Sequence, residues 1–286
     1  MRTADGFALR GTVREPKRRE LKGVAVLAHA MFARRSEFER PDGRGLARFL
    51  VANGWRTIAF DFRGHGESGP SASDGGSWSY DDLVRFDLPA VVECARARAK
   101  QLPLIVVGHS LGGHVALASQ ATGLLGADAI LCFAANIWTR ALEPSGVRWL
   151  LKLATLRAMR LVYEGRGYFP ARALRFGSDD ESTPYLAALQ RYARLGVWGS
   201  DDGKIDYAKE LAAVKIPVMQ IASDGDALNC HPESAELFLA LVGGPTRFER
   251  VRRADDGGRA PGHMELVTTE RAKSVWERAA DWMREV

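Results

Sequence analysis

Short apolar runs alternate along the chain with longer, helix-like stretches. We interpret as strands the runs at residues 23–30, 55–62, 102–109, 127–136, 216–223 and 246–254. We interpret as helices the stretches at residues 43–54, 79–100, 111–122, 231–243 and 267–286. Continuously apolar strands that alternate with helices predict an α/β fold, in which a mostly parallel central sheet is flanked by helices on both faces.

One interval departs from this alternation. Residues 140–213 contain no run that we assign to a strand, but they include helical stretches at 146–163 and 182–196. We therefore predict a core in two parts, residues 1–139 and 214–286, with the interval inserted between them as a helical cap. Residues 140–213 are called the inserted segment below.

Composition limits the function classes. Of the 286 residues, 46% are hydrophobic and 26% are charged, which is typical of a globular protein. The net charge of +5 is not gathered into a long Lys/Arg run, so we expect no nucleic-acid partner. No apolar stretch reaches the length that a membrane span needs, so none is expected.

The cysteines and the N-terminal residues bear on the compartment. Cys94, Cys132 and Cys230 are widely spaced and odd in number, as expected for free thiols in a reducing environment. The first residues carry charges and have no apolar segment of the kind found in signal peptides. The sequence therefore predicts a cytoplasmic protein.

A serine lies at the corner between a predicted strand and a predicted helix. Gly108-His109-Ser110-Leu111-Gly112 fits the pattern G-x-S-x-G in the structural context that this pattern requires. A sharp strand-to-helix turn crowds the backbone, so the residues two before and two after the serine must be small. The hydroxyl is then exposed beside a helix N-terminus, where backbone N–H groups can stabilise negative charge. The alternative is a serine that only caps the helix.

These features resemble the α/β-hydrolase family. VVGHSLGGH at 106–114 resembles its nucleophile elbow, FDFRGHGESG at 60–69 resembles a loop that follows an earlier strand, and LAHAMFARR at 27–35 stands where the oxyanion loop begins. The resemblance covers about residues 5–139 and 214–286. It implies a serine nucleophile, followed along the chain by an acid and a histidine base.

The resemblance also suggests which histidine is the base. After Ser110 the sequence offers His114, His231 and His263. His263 lies between the last predicted strand and the last predicted helix, where the family keeps its general base, so His263 is our candidate. His114 falls in the elbow helix and His231 at a helix start, and a packing or surface role is expected for both.

Two aspartates compete for the role of the acid. Ser223-Asp224-Gly225-Asp226 follows a predicted strand and fits the family pattern with Asp226 as the acid. Asp224 then forms the turn, but residues two apart near a turn can exchange roles, so Asp224 remains the alternative.

The resemblance implies that an oxyanion would be held by the backbone N–H groups of Leu111 and Met31. Ala30 stands where the family has a glycine, and alanine does not adopt a positive φ cheaply, so this loop is expected to take a different path. Phe32 and Trp138 are candidates for substrate binding.

No cofactor and no metal are expected. His65 and His109 have no Cys or Glu neighbour at metal-ligand spacing, and the glycines at 64, 66 and 69 do not form a dinucleotide fingerprint. His29 and His65 resemble histidines that orient loops in the family.

The inserted segment is basic between residues 140 and 175. Its basic residues are Arg140, Arg148, Lys152, Arg157, Arg160, Arg166, Arg172 and Arg175. They form no single stripe, which favours a solvated face over a surface for anionic substrates or lipids.

The sequence therefore predicts a serine hydrolase that acts on carboxylic esters, with small-molecule substrates. The same site could cleave lactones, thioesters or C–C bonds, or transfer an acyl group. The second class is a non-catalytic ligand-binding protein on this fold, against which the serine, aspartate and histidine set argues. The oligomeric state is not predicted.

Overall fold

The computed structural model describes residues 1–17, 20–39, 44–99 and 101–286. Its strands are β1 (Gly11–Arg14), β2 (Gly23–Ala28), β3 (Trp55–Phe60), β4 (Leu104–His109), β5 (Ala129–Phe133), β6 (Tyr168–Phe169), β7 (Glu181–Ser182), β8 (Val218–Ser223) and β9 (Thr246–Val251). Seven of them form one sheet in the order β1-β3-β2-β4-β5-β8-β9. All neighbours in this sheet are parallel except β1, which pairs antiparallel with β3.

The strands are apolar throughout because both faces of the sheet are covered. In β2, Val24, Val26 and Ala28 belong to the core on one face of the sheet. Ala25 and Leu27 belong to the core on the other face. This arrangement is the mostly parallel, helix-flanked sheet that the sequence predicts, and the fold class is confirmed.

The boundaries differ from the prediction at several points. The predicted strand at 23–30 ends at Ala28, because residues 29 and 30 already turn into a loop at the sheet edge. β1 was not predicted, since an edge strand of four half-exposed and exposed residues has no continuous apolar run.

The helices are α1 (Leu46–Ala52), α2 (Tyr80–Asp82), α3 (Leu88–Ala99), α4 (Leu111–Ala121), α5 (Gly146–Arg166), α6 (Thr183–Leu195), α7 (Tyr207–Glu210), α8 (Pro232–Leu239), α9 (Glu265–Thr268) and α10 (Lys273–Glu285). A π-helical turn at Leu83–Asp87 joins α2 to α3. Gly43 and Lys100, at the ends of two predicted helices, lie outside the described residues. Within the described part of the chain, no helix is both long enough and apolar enough to cross a membrane.

The inserted segment is mainly helical, but the expectation that it holds no strand was wrong. β6 and β7 form a two-stranded antiparallel ladder between α5 and α6. Two-residue strands give no periodic signal, which is why the sequence does not reveal them. α5 begins after Ser145, whose hydroxyl accepts from the Arg148 N–H at 3.3 Å, and ends at Gly167 with φ 83°.

Buried charged groups join the inserted segment to the rest of the chain. His65 Nε2 lies 3.3 Å from Glu181 Oε2, and both side chains are fully buried. Trp78 Nε1 donates to Glu181 at 2.9 Å. At the other end of the segment, the Oγ of Ser234, which lies outside the segment, donates to the buried Glu143 at 3.0 Å, and Lys152 Nζ within the segment donates to the same carboxylate at 2.8 Å. Such pairs tolerate burial only in one geometry, so they fix where the segment sits over the sheet.

Candidate active site

Ser110 lies in a strained turn between β4 and α4. Its φ of 50° and ψ of −110° are unusual for a residue other than glycine. A Cβ at Gly108 would lie 2.3 Å from the Gly113 nitrogen, and a Cβ at Gly112 would lie 2.0 Å from the Ala28 oxygen. The motif therefore has its glycines at the two positions where backbone approaches backbone.

Hydrogen bonds hold this turn in place. The Ser110 N–H donates to the Phe133 carbonyl at 2.8 Å, and the Gly112 N–H donates to the His29 carbonyl at 3.1 Å. Ser110 lines a cavity of about 560 Å³ at the carboxyl ends of the strands. The serine is thus fixed by its backbone and faces the cavity.

His263 lines the same cavity and is paired with Asp226. The Nδ1 of His263 lies 2.5 Å from Oδ2 of Asp226, and the Asn229 N–H donates to the other carboxylate oxygen at 2.9 Å. Burial raises the pKa of Asp226, but the hydrogen bond and charge of His263 and the nearby backbone N–H groups outweigh it and leave that pKa lowered. The carboxylate is therefore held ionised.

Asp224, the alternative acid, has a different partner. It accepts from Arg250 Nε at 2.7 Å, and a third of its side chain is exposed. Of the two aspartates, Asp226 is therefore the one that contacts His263 in the structure.

The other two late histidines are placed elsewhere. His231 caps α8, where its Nδ1 accepts from the Glu233 N–H at 3.3 Å. His114 is buried at the cavity wall, 3.0 Å from the Tyr80 hydroxyl. Burial lowers the pKa of His114 to about 3, so this ring is neutral.

The loop after β2 has its positive φ two residues later than a glycine at position 30 would suggest. Ala30 keeps an ordinary φ, and the positive φ, 62°, falls on Phe32. His29 accepts from the Phe62 N–H at Nε2 (3.0 Å), and its Nδ1 faces the Ala30 carbonyl at 2.8 Å. Burial lowers the pKa of His29 to about 4, so a neutral ring bridges two loops.

Met31 and Leu111 both line the cavity beside Ser110. In the part of the chain that the structure describes, neither backbone N–H donates to another protein group. Both donors are therefore available to a bound oxygen atom.

Phe32 and Trp138 also line the cavity. The Phe32 ring stacks on Phe169 with centroids 5.3 Å apart. Most of the remaining wall comes from apolar and aromatic residues of α5 and α6: Leu156, Met159, Val162, Tyr185, Leu189 and Tyr192. The sequence indicated aromatic residues of this segment as candidates for a pocket wall, but the aliphatic members were missed. The spacing of three residues along α5 was the available signal, but it does not separate a cavity wall from a packed core.

Two histidines have glutamate partners that the sequence did not reveal. Glu181 lies beside His65, as described above, and Glu37 Oε1 lies 3.2 Å from His109 Nδ1. The expectation that these histidines have no Glu neighbour was wrong. Each has a Glu partner that is close in the structure but 72 or more residues away along the chain. Among the described residues, no three His, Cys, Asp or Glu side chains cluster in a way that could hold a metal ion.

Comparisons with known proteins identify a family and relatives. A family model described as "Serine aminopeptidase, S33" matches residues 22–246. A monoglyceride lipase of Saccharomyces cerevisiae is 25% identical over 244 residues, which are 77% of this chain and 72% of that protein.

Solved structures share the fold at low identity. A monoacylglycerol lipase of Paleococcus ferrophilus superposes with a TM-score of 0.64 at 15% identity, over 97% of this chain and 99% of that one. Est1E of Butyrivibrio proteoclasticus, solved with bound ferulic acid, gives a TM-score of 0.66 at 16% identity, over 98% and 96% of the two chains.

Proposed function

The chain belongs to the serine aminopeptidase S33 family of α/β-hydrolases, and from this premise we propose that it hydrolyses carboxylic esters through an acyl-enzyme on Ser110. One observation carries the proposal: the bond between His263 Nδ1 and Asp226 Oδ2 lies at the cavity that Ser110 lines. A nucleophile, a base and an orienting acid are thereby assigned in the chain order serine, aspartate, histidine.

The proposed reaction has two halves. The Ser110 Oγ attacks the ester carbonyl carbon while His263 Nε2 takes the hydroxyl proton. The carbonyl oxygen becomes an oxyanion, which accepts hydrogen bonds from the Leu111 and Met31 N–H groups. When the C–O bond breaks, His263 returns the proton to the departing alcohol. Water then attacks the acyl-enzyme with His263 again as base, which releases the acid and restores Ser110.

Asp226 orients the base in this scheme. Its carboxylate accepts from Nδ1, so Nε2 is left without a proton and can receive one from Ser110. The lowered pKa of Asp226 keeps it ionised while His263 becomes an imidazolium.

The cavity supports an apolar acyl group as the substrate's larger part. Its wall is built from aliphatic and aromatic side chains of the inserted segment, with Phe32 and Trp138 from the core side. We propose that the inserted segment acts as a cap whose inner face binds the acyl chain. Because one relative is named a monoglyceride lipase, monoacylglycerols are the first natural esters to test.

The test is a panel of p-nitrophenyl esters of graded chain length, run beside monoacylglycerols, a lactone and an aminoacyl p-nitroanilide. We expect the esters to have the highest kcat/KM. A fluorophosphonate probe should label wild type, and Ser110→Ala should abolish both labelling and turnover.

The matched control is Ser119→Ala, which removes a buried hydroxyl from the same helix, α4. This variant should keep labelling and activity. Labelling that survives Ser110→Ala, or an anilide turned over faster than every ester, would contradict the proposal.

A further inference from the structure

A second histidine next to the nucleophile lies at the centre of a buried chain of hydrogen bonds. His109 is the last residue of β4, and its side chain is fully buried. Its Nε2 lies 3.1 Å from the backbone carbonyl of His263, and its Nδ1 lies 3.2 Å from Oε1 of Glu37. The same carboxylate oxygen accepts from the Ala30 N–H at 3.0 Å.

The chain of contacts joins three loops that the catalytic scheme needs in register. Ala30 precedes Met31, whose N–H is a proposed oxyanion donor. His109 precedes the proposed nucleophile, and the His263 carbonyl belongs to the proposed base. One carboxylate and one imidazole therefore connect the oxyanion loop, the elbow and the base loop.

The chemistry of the contacts shows where the chain of hydrogen bonds needs protons. A carbonyl oxygen only accepts, so the bond to His263 needs a proton on His109 Nε2. The contact between Nδ1 and the Glu37 carboxyl needs one further proton between the two groups. Both bonds then form together, and each has a fixed direction.

Burying this pair costs free energy of desolvation, so we expect the pair to have a role that apolar side chains could not fill. The Glu37 side chain is 4% exposed, and its Oε2 has no hydrogen-bond partner among the described residues. Two apolar side chains of similar volume would fill the same space without a desolvation penalty. The arrangement is explained if the directional bonds, rather than the packing, are what the site uses.

We propose that Glu37 and His109 are positioning residues that set the base loop and the oxyanion loop relative to Ser110. The inference rests on the proposed function, because it assigns these loops to the reaction. Misplacement of reacting groups by about 1 Å can cost about a hundredfold in rate, and the loss falls on kcat rather than on substrate binding.

The test compares His109→Phe, Glu37→Ala and Glu37→Gln. His109→Phe keeps a ring but no bond, and Glu37→Ala removes the carboxylate. We expect each to lower kcat by about tenfold to a hundredfold with KM changed by less than about threefold. Glu37→Gln keeps an oxygen that accepts from the Ala30 N–H and from His109, so it should recover most of the lost kcat. The double variant should lose little more than either single variant, because both break one unit.

A matched control separates positioning from stability. Asp87→Asn weakens another buried ion pair, in which Arg63 Nε donates to Asp87 at 2.7 Å, and neither residue lines the cavity or belongs to the inserted segment. It should lower Tm while kcat of the folded protein stays within about threefold. If His109→Phe folds poorly, Glu37→Ala tests the same bonds from the other end.

The rate of fluorophosphonate labelling distinguishes the two proposals. Labelling reports the reactivity of Ser110 and needs no substrate, so slow labelling of His109→Phe beside fast labelling of wild type supports the positioning role even if every ester fails. A His109→Phe variant with wild-type kcat and labelling rate overturns the positioning role alone. A wild type that is not labelled overturns both proposals.

Discussion

The strand-end loops of the core and the inner face of the inserted segment meet at one cavity but are built in opposite ways. The loops hold Ser110, Asp226 and His263 with strained backbone, close glycine contacts and buried hydrogen bonds. The inserted segment offers apolar side chains from two helices and few directed bonds. The loops therefore fix the positions of individual atoms, whereas the segment defines the size of the cavity.

This contrast predicts two kinds of response to substitution. Changes in the loops should act on the chemical step and be severe, because one hydrogen bond or one tautomer is lost. Changes on the inner face of the segment should be graded and depend on the substrate, because contacts are exchanged for other contacts.

The largest effect is expected at the acid. Asp226→Asn keeps the shape but presents an amide to His263, which stabilises the wrong tautomer and should lower kcat by about 10³-fold to 10⁴-fold. Asp224→Asn should stay within about threefold, since Asp224 is bonded to Arg250 at the surface. Steady-state kinetics on a p-nitrophenyl ester measure both variants. If Asp224→Asn is the damaging change, the assignment of the acid is wrong.

This pair of aspartates also indicates how far a sequence can be interpreted. The elbow can be predicted from the sequence because its backbone geometry permits only small residues at 108 and 112, and this constraint appears as a local motif. For the acid, the sequence leaves two candidates, Asp224 and Asp226, because both follow the same strand. The contact between Glu37 and His109 joins residues far apart in the chain, and no local pattern records it. The cavity wall on α5 could not be predicted for another reason. Apolar spacing along a helix does not show whether its apolar face contacts protein or substrate.

A second, smaller effect should distinguish a buried histidine of α4 from a partly exposed one by the pH dependence of stability. The pKa of His114 is lowered to about 3 in the native protein, while an unfolded histidine titrates near pH ~6.5. Above pH ~7 neither state binds the proton, so the free energy of unfolding is unaffected. As the pH falls below ~6.5 the unfolded chain takes up a proton that the buried ring does not, which destabilises the fold by about 2 kcal/mol at pH ~5.

The variant that tests this is His114→Asn, whose amide oxygen can still accept from the Tyr80 hydroxyl. Chemical unfolding at pH 7 and pH 5 should show a loss of stability that is smaller by about 2 kcal/mol in the variant than in wild type. His231→Asn is the control, since it replaces a partly exposed histidine with another helix-capping residue and should change the pH dependence less. An unchanged pH dependence in His114→Asn would mean that this ring does not resist protonation.

The inserted segment should respond through substrate size. Met159→Trp replaces a flexible side chain on the inner face of α5 with a bulky ring, which narrows the cavity. We expect kcat/KM for long-chain p-nitrophenyl esters to fall about tenfold relative to kcat/KM for p-nitrophenyl butyrate, which should be nearly unchanged. Leu161→Trp adds the same ring to the same helix at a position that is 69% exposed, and it should leave the ratio unchanged. Equal losses on short and long esters would argue that the segment does not bind the acyl chain.

The smallest effect is expected on the outer face of the same helix, where Arg160 lies; Lys152 of this helix is buried instead, contrary to the expectation of a solvated face. Arg160 is exposed and donates to Glu164 at 2.7 Å, one helical turn away, so its charge is already partly balanced and screened by water. Arg160→Gln should therefore leave the ratio of kcat/KM for an anionic ester to that for a neutral ester within about twofold, at both low and physiological salt. A selective loss on the anionic ester that disappears at high salt would show instead that the outer face attracts substrate. In that case the inserted segment would attract substrate through its charge as well as define the size of the cavity. The contrast between hydrogen-bonded loops and an apolar wall would then hold only for the inner face of the segment.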